Sequence, residues 1–369
     1  RYIAVTGVQT CALPIYLSHF TIEPMSEPAI KRFCEAWSLA IHQLLAQPGE
    51  SQMEIERRAS REAEALKKAV LDPSRPGVTE MATNPLLLTI LALVHHNTQA
   101  KLPEQRFRLY QIAVENLVEV WRSDSGLTED EVVNVLSPVA AYIHSTYATG
   151  LIPEPELRGL ITQNLAVYRG IDTDHLPKDF QNAVETFLET VREQVGMLAA
   201  RGEYLYGFLH LTFQEYLAAR HLVHDPTEAL KRIREKISDP RWREPILLAL
   251  GFAMWHWDVK ARQRFLQALL DAPDPLGDLI PRNALLIAAA MPEFVYKPAR
   301  IVSEVTRRLL TAYADRQGIG RFNALQLQIE TALARLRRPD TTQNVDGVII
   351  EALKDPQQPD QQQIGRAHV

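Results

Sequence analysis

The sequence predicts a mainly α protein in three parts: a helical domain, a winged-helix domain of three helices plus a β-hairpin, and an α-helical array. Three observations predict it. Through most of the chain apolar residues recur at three- and four-residue intervals, the mark of amphipathic helices. One region, Val195–Leu209, instead reads as two short apolar strands around Arg201-Gly-Glu203, a glycine-containing hairpin turn. Finally, from Asp225 to about Lys354, helical stretches follow one another across short Pro- or Asp-rich turns.

At 369 residues the chain has room for two or three domains with cores of their own. A net charge of −5 argues against a nucleic-acid surface spread over the whole chain. No apolar run approaches the ~18 residues that span a bilayer. The longest, Pro85–Val94 and Pro245–Trp255, read as buried helices.

Both ends look foreign to a protein. Thr10-Cys-Ala-Leu-Pro-Ile15 can be encoded by a DNA string whose reverse complement, read one base in, encodes Ile-Gly-Arg-Ala-His and begins a Val codon. Ile364–Val369 is that peptide, so both ends look like translated sequencing adapter and are set aside. The expected division is then 1–15 non-native, 16–122 helical domain, 123–224 winged helix, 225–354 helical array, and 355–369 a disordered tail ending in adapter-like residues. On this reading the chain is an internal fragment. Removing Arg1 and Arg366 lowers the basic count from 40 to 38 against 45 acidic residues, a charge of −7. Cys34 is then the one native cysteine, which excludes a disulfide and fits a reducing cytoplasm.

Taken in order, a first helix starts at Ser26 or Glu27, with Pro28 in the first turn, where a missing N–H costs nothing. Ile30, Phe33, Cys34, Trp37, Ile41, Leu44 and Leu45 form its apolar face. A charged second helix, Gln52–Leu71, is interrupted by Asp72-Pro-Ser-Arg-Pro-Gly77. Pro85 opens a buried helix, with Thr83 or Asn84 as its cap. His95 and His96 are adjacent, so a helix aims them apart; they read as a solvated helix end rather than metal ligands. Leu102-Pro-Glu-Gln-Arg106 leads into a helix carrying Leu109, Tyr110, Ala113, Val114, Leu117, Val120 and Trp121 on one face. Ser123–Gly126 reads as a polar linker. Thr128 and Glu131 have capping-box spacing for helix Glu129–Tyr147, with Pro138 a potential break, and helices Pro155–Val167 and Pro177–Gln194 follow.

Winged helices often bind DNA through basic residues on the third helix. Here that helix offers Lys178 and Arg192 against Asp179, Glu185, Glu189 and Glu193, a balance that repels phosphate backbones.

The chain is organised around Tyr204–Leu222. A short strand turns abruptly into a helix, and Thr212 with Glu215 has the spacing of a capping box. His210 stands at the junction, just outside that expected cap. A lone histidine there often just fills a corner; one that points outward can instead donate to an anion.

Phe208-Leu-His-Leu-Thr-Phe-Gln-Glu-Tyr-Leu-Ala-Ala219 resembles the winged-helix signature of the NACHT family of signal-transducing NTPases, which includes animal NOD-like receptors and many bacterial defence proteins. Four further stretches are similar to that family. Phe20–Phe33 resembles the opening of its helical domain, and Asn84-Pro-Leu-Leu-Leu88 its sensor-2 motif, with Thr83 in place of the usual glycine. Leu102-Pro-x-x-Arg106-x-x-Leu109-Tyr110 and Trp242-Arg-Glu244 also fit. The resemblance implies a nucleotide site in the intact protein, with His210 on the phosphates of ADP and Pro85, beside Asn84, against the adenine. It also implies ADP/ATP with Mg as cofactors, an upstream nucleotide-binding domain as partner, homo-oligomer assembly on activation, and an unknown protein or ligand trigger. DNA and membrane are not expected as partners.

No phosphate-cradling Gly-x-x-x-x-Gly-Lys-Ser/Thr loop and no strand ending in magnesium-binding acids occurs in the sequence. The expectation is therefore a regulatory, nucleotide-sensing portion that is not itself an enzyme and binds no nucleotide tightly alone. The alternative is a passive α-helical scaffold or protein-binding module in which His210 is structural.

Overall fold

A computed structural model describes residues 23–98, 102–125, 127–194, 197–277, 279–314 and 323–354. The adapter-like ends and the tail fall outside the described residues. The chain divides into two compact units, Arg1–Leu102 and Pro103–Val369. Among the described residues it is helical apart from one small sheet, and none of its helices is long and apolar enough to cross a membrane.

The first unit holds α1 (Glu27–Leu44), α2 (Gln52–Val70), α3 (Pro76–Ala82) and α4 (Pro85–Thr98). Ile55, Ala59, Ala63, Leu66 and Val70 of α2 form one buried stripe at helical spacing, and the two alanines let α1 approach closely. Ser51 and Glu54 close a full capping box at the start of α2, a signal the sequence reading passed over. The expected interruption at 72–77 contains the start of α3, because Pro76 suits a first helical position. Asn84 caps α4: its Oδ1 accepts from the backbone N–H of Leu86 at 3.0 Å and of Leu87 at 3.3 Å.

The reading of His95 and His96 as a solvated end is corrected. Nδ1 of His96 lies 2.7 Å from Oε1 of Glu62, and Nε2 of His42 lies 2.5 Å from Oε2 of the same carboxylate. All three side chains are mostly buried, and Trp37 meets His96 edge-on. These groups come from three different helices, so no local pattern announces them.

The second unit opens with α5 (Arg106–Ser125), which runs through the expected Ser123–Gly126 linker as far as it is described. Next come α6 (Glu129–Thr146), β1 (Leu151–Pro153), α7 (Glu154–Tyr168) and α8 (Phe180–Glu189), the last extended by a π-helical turn, Thr190–Gln194. Strands β2 (Leu198–Gly202) and β3 (Leu205–Phe208) lead to α9 (Leu211–Val223). Pro138 does not break α6, which packs along α9 and α7 and is held by that packing. Only half of the box expected at its start forms. Thr128 Oγ1 accepts the Glu131 N–H at 3.2 Å, but the Glu131 carboxylate takes Arg169 Nε at 2.7 Å.

The sheet is antiparallel in the order β1-β3-β2, so it has one strand more than the expected hairpin. Leu151-Ile-Pro153 is too short to signal a strand without its partner. The hairpin loop is Glu203-Tyr204 rather than Arg201–Glu203: Gly202 pairs with Leu205, and Tyr204 adopts φ +58. Gly207, in the central strand, has no room for a side chain. A Cβ there would lie 2.9 Å from Gly150 O and from Leu151 Cδ2.

The array then runs through α10 (Ala229–Lys236), α11 (Arg243–His256), α12 (Val259–Leu270), α13 (Arg282–Ala290), α14 (Ala299–Ala314), α15 (Asn323–Leu336) and α16 (Thr342–Lys354). Helix α11 packs against α5, α9 and α13. Gly251 makes the first of these contacts possible: a Cβ there would sit 2.8 Å from Phe107 Cδ1 and 2.7 Å from Glu293 Cβ. Glu293 itself, 3 % exposed, receives the Arg106 backbone N–H at 2.9 Å and its Nε at 2.5 Å, while Arg106 Nη1 reaches Glu244 at 2.8 Å. Arg106 thereby ties the first turn of α5 to the array.

Candidate functional site

Helix α9 is the most enclosed element of its unit: every residue from Thr212 to Ala219 is buried. Its start is fixed from the sheet side. The Leu209 N–H bonds to Met197 O at 2.9 Å, and His210 follows in extended conformation, φ −129 and ψ 134. His210 is therefore itself the residue before the first turn, and α9 begins earlier than expected. That moves Thr212 inside the first turn, where its Oγ1 is buried without a hydrogen-bond partner. The expected Thr212–Glu215 capping box does not form. The sheet decides the helix start, and it overrides the local signal.

His210 makes no side-chain cap and stands exposed, its ring 6.4 Å from that of Phe213. Beside it, Arg201 of β2 donates from Nη2 to Leu209 O at 2.8 Å, which lays a guanidinium next to the junction. Partial burial, reinforced by that cation, lowers the His210 pKa below the ordinary imidazole value. The group is neutral near pH 7 and able to donate one N–H. The Leu211 and Thr212 N–H groups have no acceptor among the described residues. A positive guanidinium, an imidazole donor and the uncapped start of a helix together favour an anion. Arg201 was legible only as a turn residue, because nothing in the local sequence places it beside His210.

Asn84 and Pro85 are neighbours in the other compact unit. Asn84 Oδ1 is committed to its helix cap, whereas the Pro85 ring is exposed at the first position of α4.

The third helix of the winged fold carries few free cations. Arg192, on its π-helical extension, lies over the Tyr206 ring at 4.7 Å. Among the described residues no group of three or more His, Cys, Asp or Glu is arranged to hold a metal ion.

Residues 106–222 match the family described as the winged helix-turn-helix domain C-terminal to NACHT. The match runs from the first residue of α5 to Leu222 of α9, so it takes in the three-stranded sheet and His210. No curated protein and no solved structure matches the chain. Residues 106–222 thus form a winged helix-turn-helix domain of the kind found C-terminal to NACHT.

Proposed function

We propose that this chain is the nucleotide-state-sensing part of a NACHT signal-transduction NTPase. In the protein that includes the nucleotide-binding domain, His210 donates to the phosphates of ADP and Pro85, backed by Asn84, covers the adenine. The chain supplies no phosphate loop and no magnesium-binding acids of its own; ADP or ATP with Mg is held mainly by the upstream domain. Exchange of ADP for ATP changes what His210 can contact, releases the winged helix and permits a homo-oligomer to assemble in response to a protein or ligand trigger, as in cytoplasmic defence signalling. Energetically this is a two-state element biased by differential contacts to the phosphates.

The observation that carries the reading is the contrast within the α9 junction. The helix body is fully packed, yet the histidine before it is exposed, unpartnered and flanked by Arg201 at an uncapped helix start. Packing does not require a histidine there. The test is His210→Ala in the full-length protein. One hydrogen bond to a charged phosphate contributes about 1.5–3 kcal/mol, so ADP retention should weaken by roughly ten- to a hundredfold. Bound nucleotide after gel filtration and sedimentation velocity report retention and assembly. Unchanged occupancy and unchanged sedimentation would leave the passive-scaffold reading instead.

A further inference from the structure

We propose that the cleft bounded by α6, α7, α9 and α10 binds the phosphate ester of a small hydroxylated molecule, held by the guanidinium groups of Arg220 and Arg232. This site is separate from His210. The cleft encloses about 380 Å³, within the size range of small-molecule sites.

Its two arginines are positioned but not neutralised. Arg232 Nη1 donates to His221 O at 2.7 Å, which steers its planar fork, and Asp225 acts on it only from beyond ion-pair distance. Arg220 Nη1 donates to the Tyr216 hydroxyl at 3.0 Å, and its guanidinium lies 4.3 Å from the Phe252 ring centre. Neither has a carboxylate within ion-pair distance among the described residues; Glu129 acts on Arg220 only at longer range. The larger groove of about 640 Å³ in the helical array differs in this respect. Its Arg282, Arg307 and Arg308 are all paired with Asp or Glu. Unpaired guanidinium forks suit phosphate, which they bind through parallel N–H···O bonds.

The opposite wall, on α6, offers polar atoms that the protein leaves unused. Ser137 is 5 % exposed, and its Oγ has no hydrogen-bond partner. One residue on, Pro138 has no N–H, so the Asn134 carbonyl lacks its usual helical donor. A buried hydroxyl and a freed carbonyl fit hydroxyl groups on the organic part of a ligand. His221 lines the same cleft, and burial together with the nearby Arg232 and Lys236 cations holds its pKa down at about 4. It meets the ligand as a neutral imidazole, and an arriving phosphate relieves the crowding of positive charge. The adjoining space of about 500 Å³ shares Arg232 but adds the carboxylates of Glu228 and Glu235, whereas no carboxylate lines the cleft that holds both Arg220 and Arg232, so the anionic end belongs there.

The test is calorimetric titration of the intact chain with inorganic phosphate and with ribose 5-phosphate at fixed ionic strength. Both should bind, with ribose 5-phosphate the tighter. Arg232→Gln should weaken each by about tenfold or more. Ser137→Ala removes an unpartnered hydroxyl, so it should fold as the parent does and weaken ribose 5-phosphate selectively; it remains informative if Arg232→Gln fails to fold. His210→Ala should leave both affinities unchanged, which separates this site from the proposed nucleotide contact. Absence of phosphate binding, equal affinity for the two probes, or binding that neither Arg232→Gln nor Ser137→Ala reduces would overturn the assignment.

Discussion

Replacing Glu293 by alanine should unfold the second unit far more readily than any exposed carboxylate change. Glu293 is 3 % exposed and serves two donors of one residue, the Arg106 N–H at 2.9 Å and Nε at 2.5 Å. Removing it strands the first backbone N–H of α5 and leaves the guanidinium with Glu244 alone. Breaking a buried pair from one side costs about 3–5 kcal/mol. Here Glu244 remains, and the Arg106 side chain is 33 % exposed, so the expected loss is nearer ~2–3 kcal/mol. Glu244→Ala is the control: that carboxylate is 40 % exposed, and its loss should cost at most ~1 kcal/mol. Urea unfolding followed by tryptophan fluorescence is a suitable assay, because Trp121, Trp242, Trp255 and Trp257 all lie in the second unit. The chain holds two compact units, so the midpoint and slope of that signal are compared rather than a single global stability. A loss below ~1 kcal/mol for Glu293→Ala, or equal losses for the two variants, would refute the reasoning.

Three further outcomes are expected. Thr212→Val should leave stability unchanged or raise it by up to about 1 kcal/mol, since the Thr212 hydroxyl is buried and unpartnered; a loss of about 1 kcal/mol, as for a broken cap, would show that the capping box forms after all. Stability should fall as pH drops from near 7 to near 5. Burial holds His144, His221 and His256 below the ordinary imidazole pKa, His221 and His256 at about 4, so the unfolded chain takes up protons first. Each contribution is intact above about pH 6.5 and is lost progressively below it, on the order of 1–2 kcal/mol apiece for His221 and His256 after allowance for solvent; equal urea midpoints at the two pH values would count against it. Cys34 is fully buried and burial pushes its thiol up to about 11, so iodoacetamide should label it only after unfolding, as read by peptide mass.

Helix periodicity depends on residues three and four apart, and for that reason the succession of helices, the buried runs at Pro85 and Pro245, and the strand-to-helix turn at His210 were all readable in the sequence. Asn84 as the cap of α4 was readable for the same local reason, since the cap and the amides it serves are close neighbours in the chain. Tertiary contacts set everything that joins distant residues. The third strand exists because Leu151–Pro153 finds β3, and the sheet in turn fixes where α9 begins, so His210 rather than Thr212 precedes the helix. His96 finds Glu62 and Arg106 finds Glu293 across long stretches of chain, and the pairing of β2 with β3 brings Arg201 to rest beside His210; none of these pairs carries a periodic signal. A capping motif contributes about 1 kcal/mol, less than the packing and strand pairing that set a helix boundary, and so the local signal at Thr212 gave way.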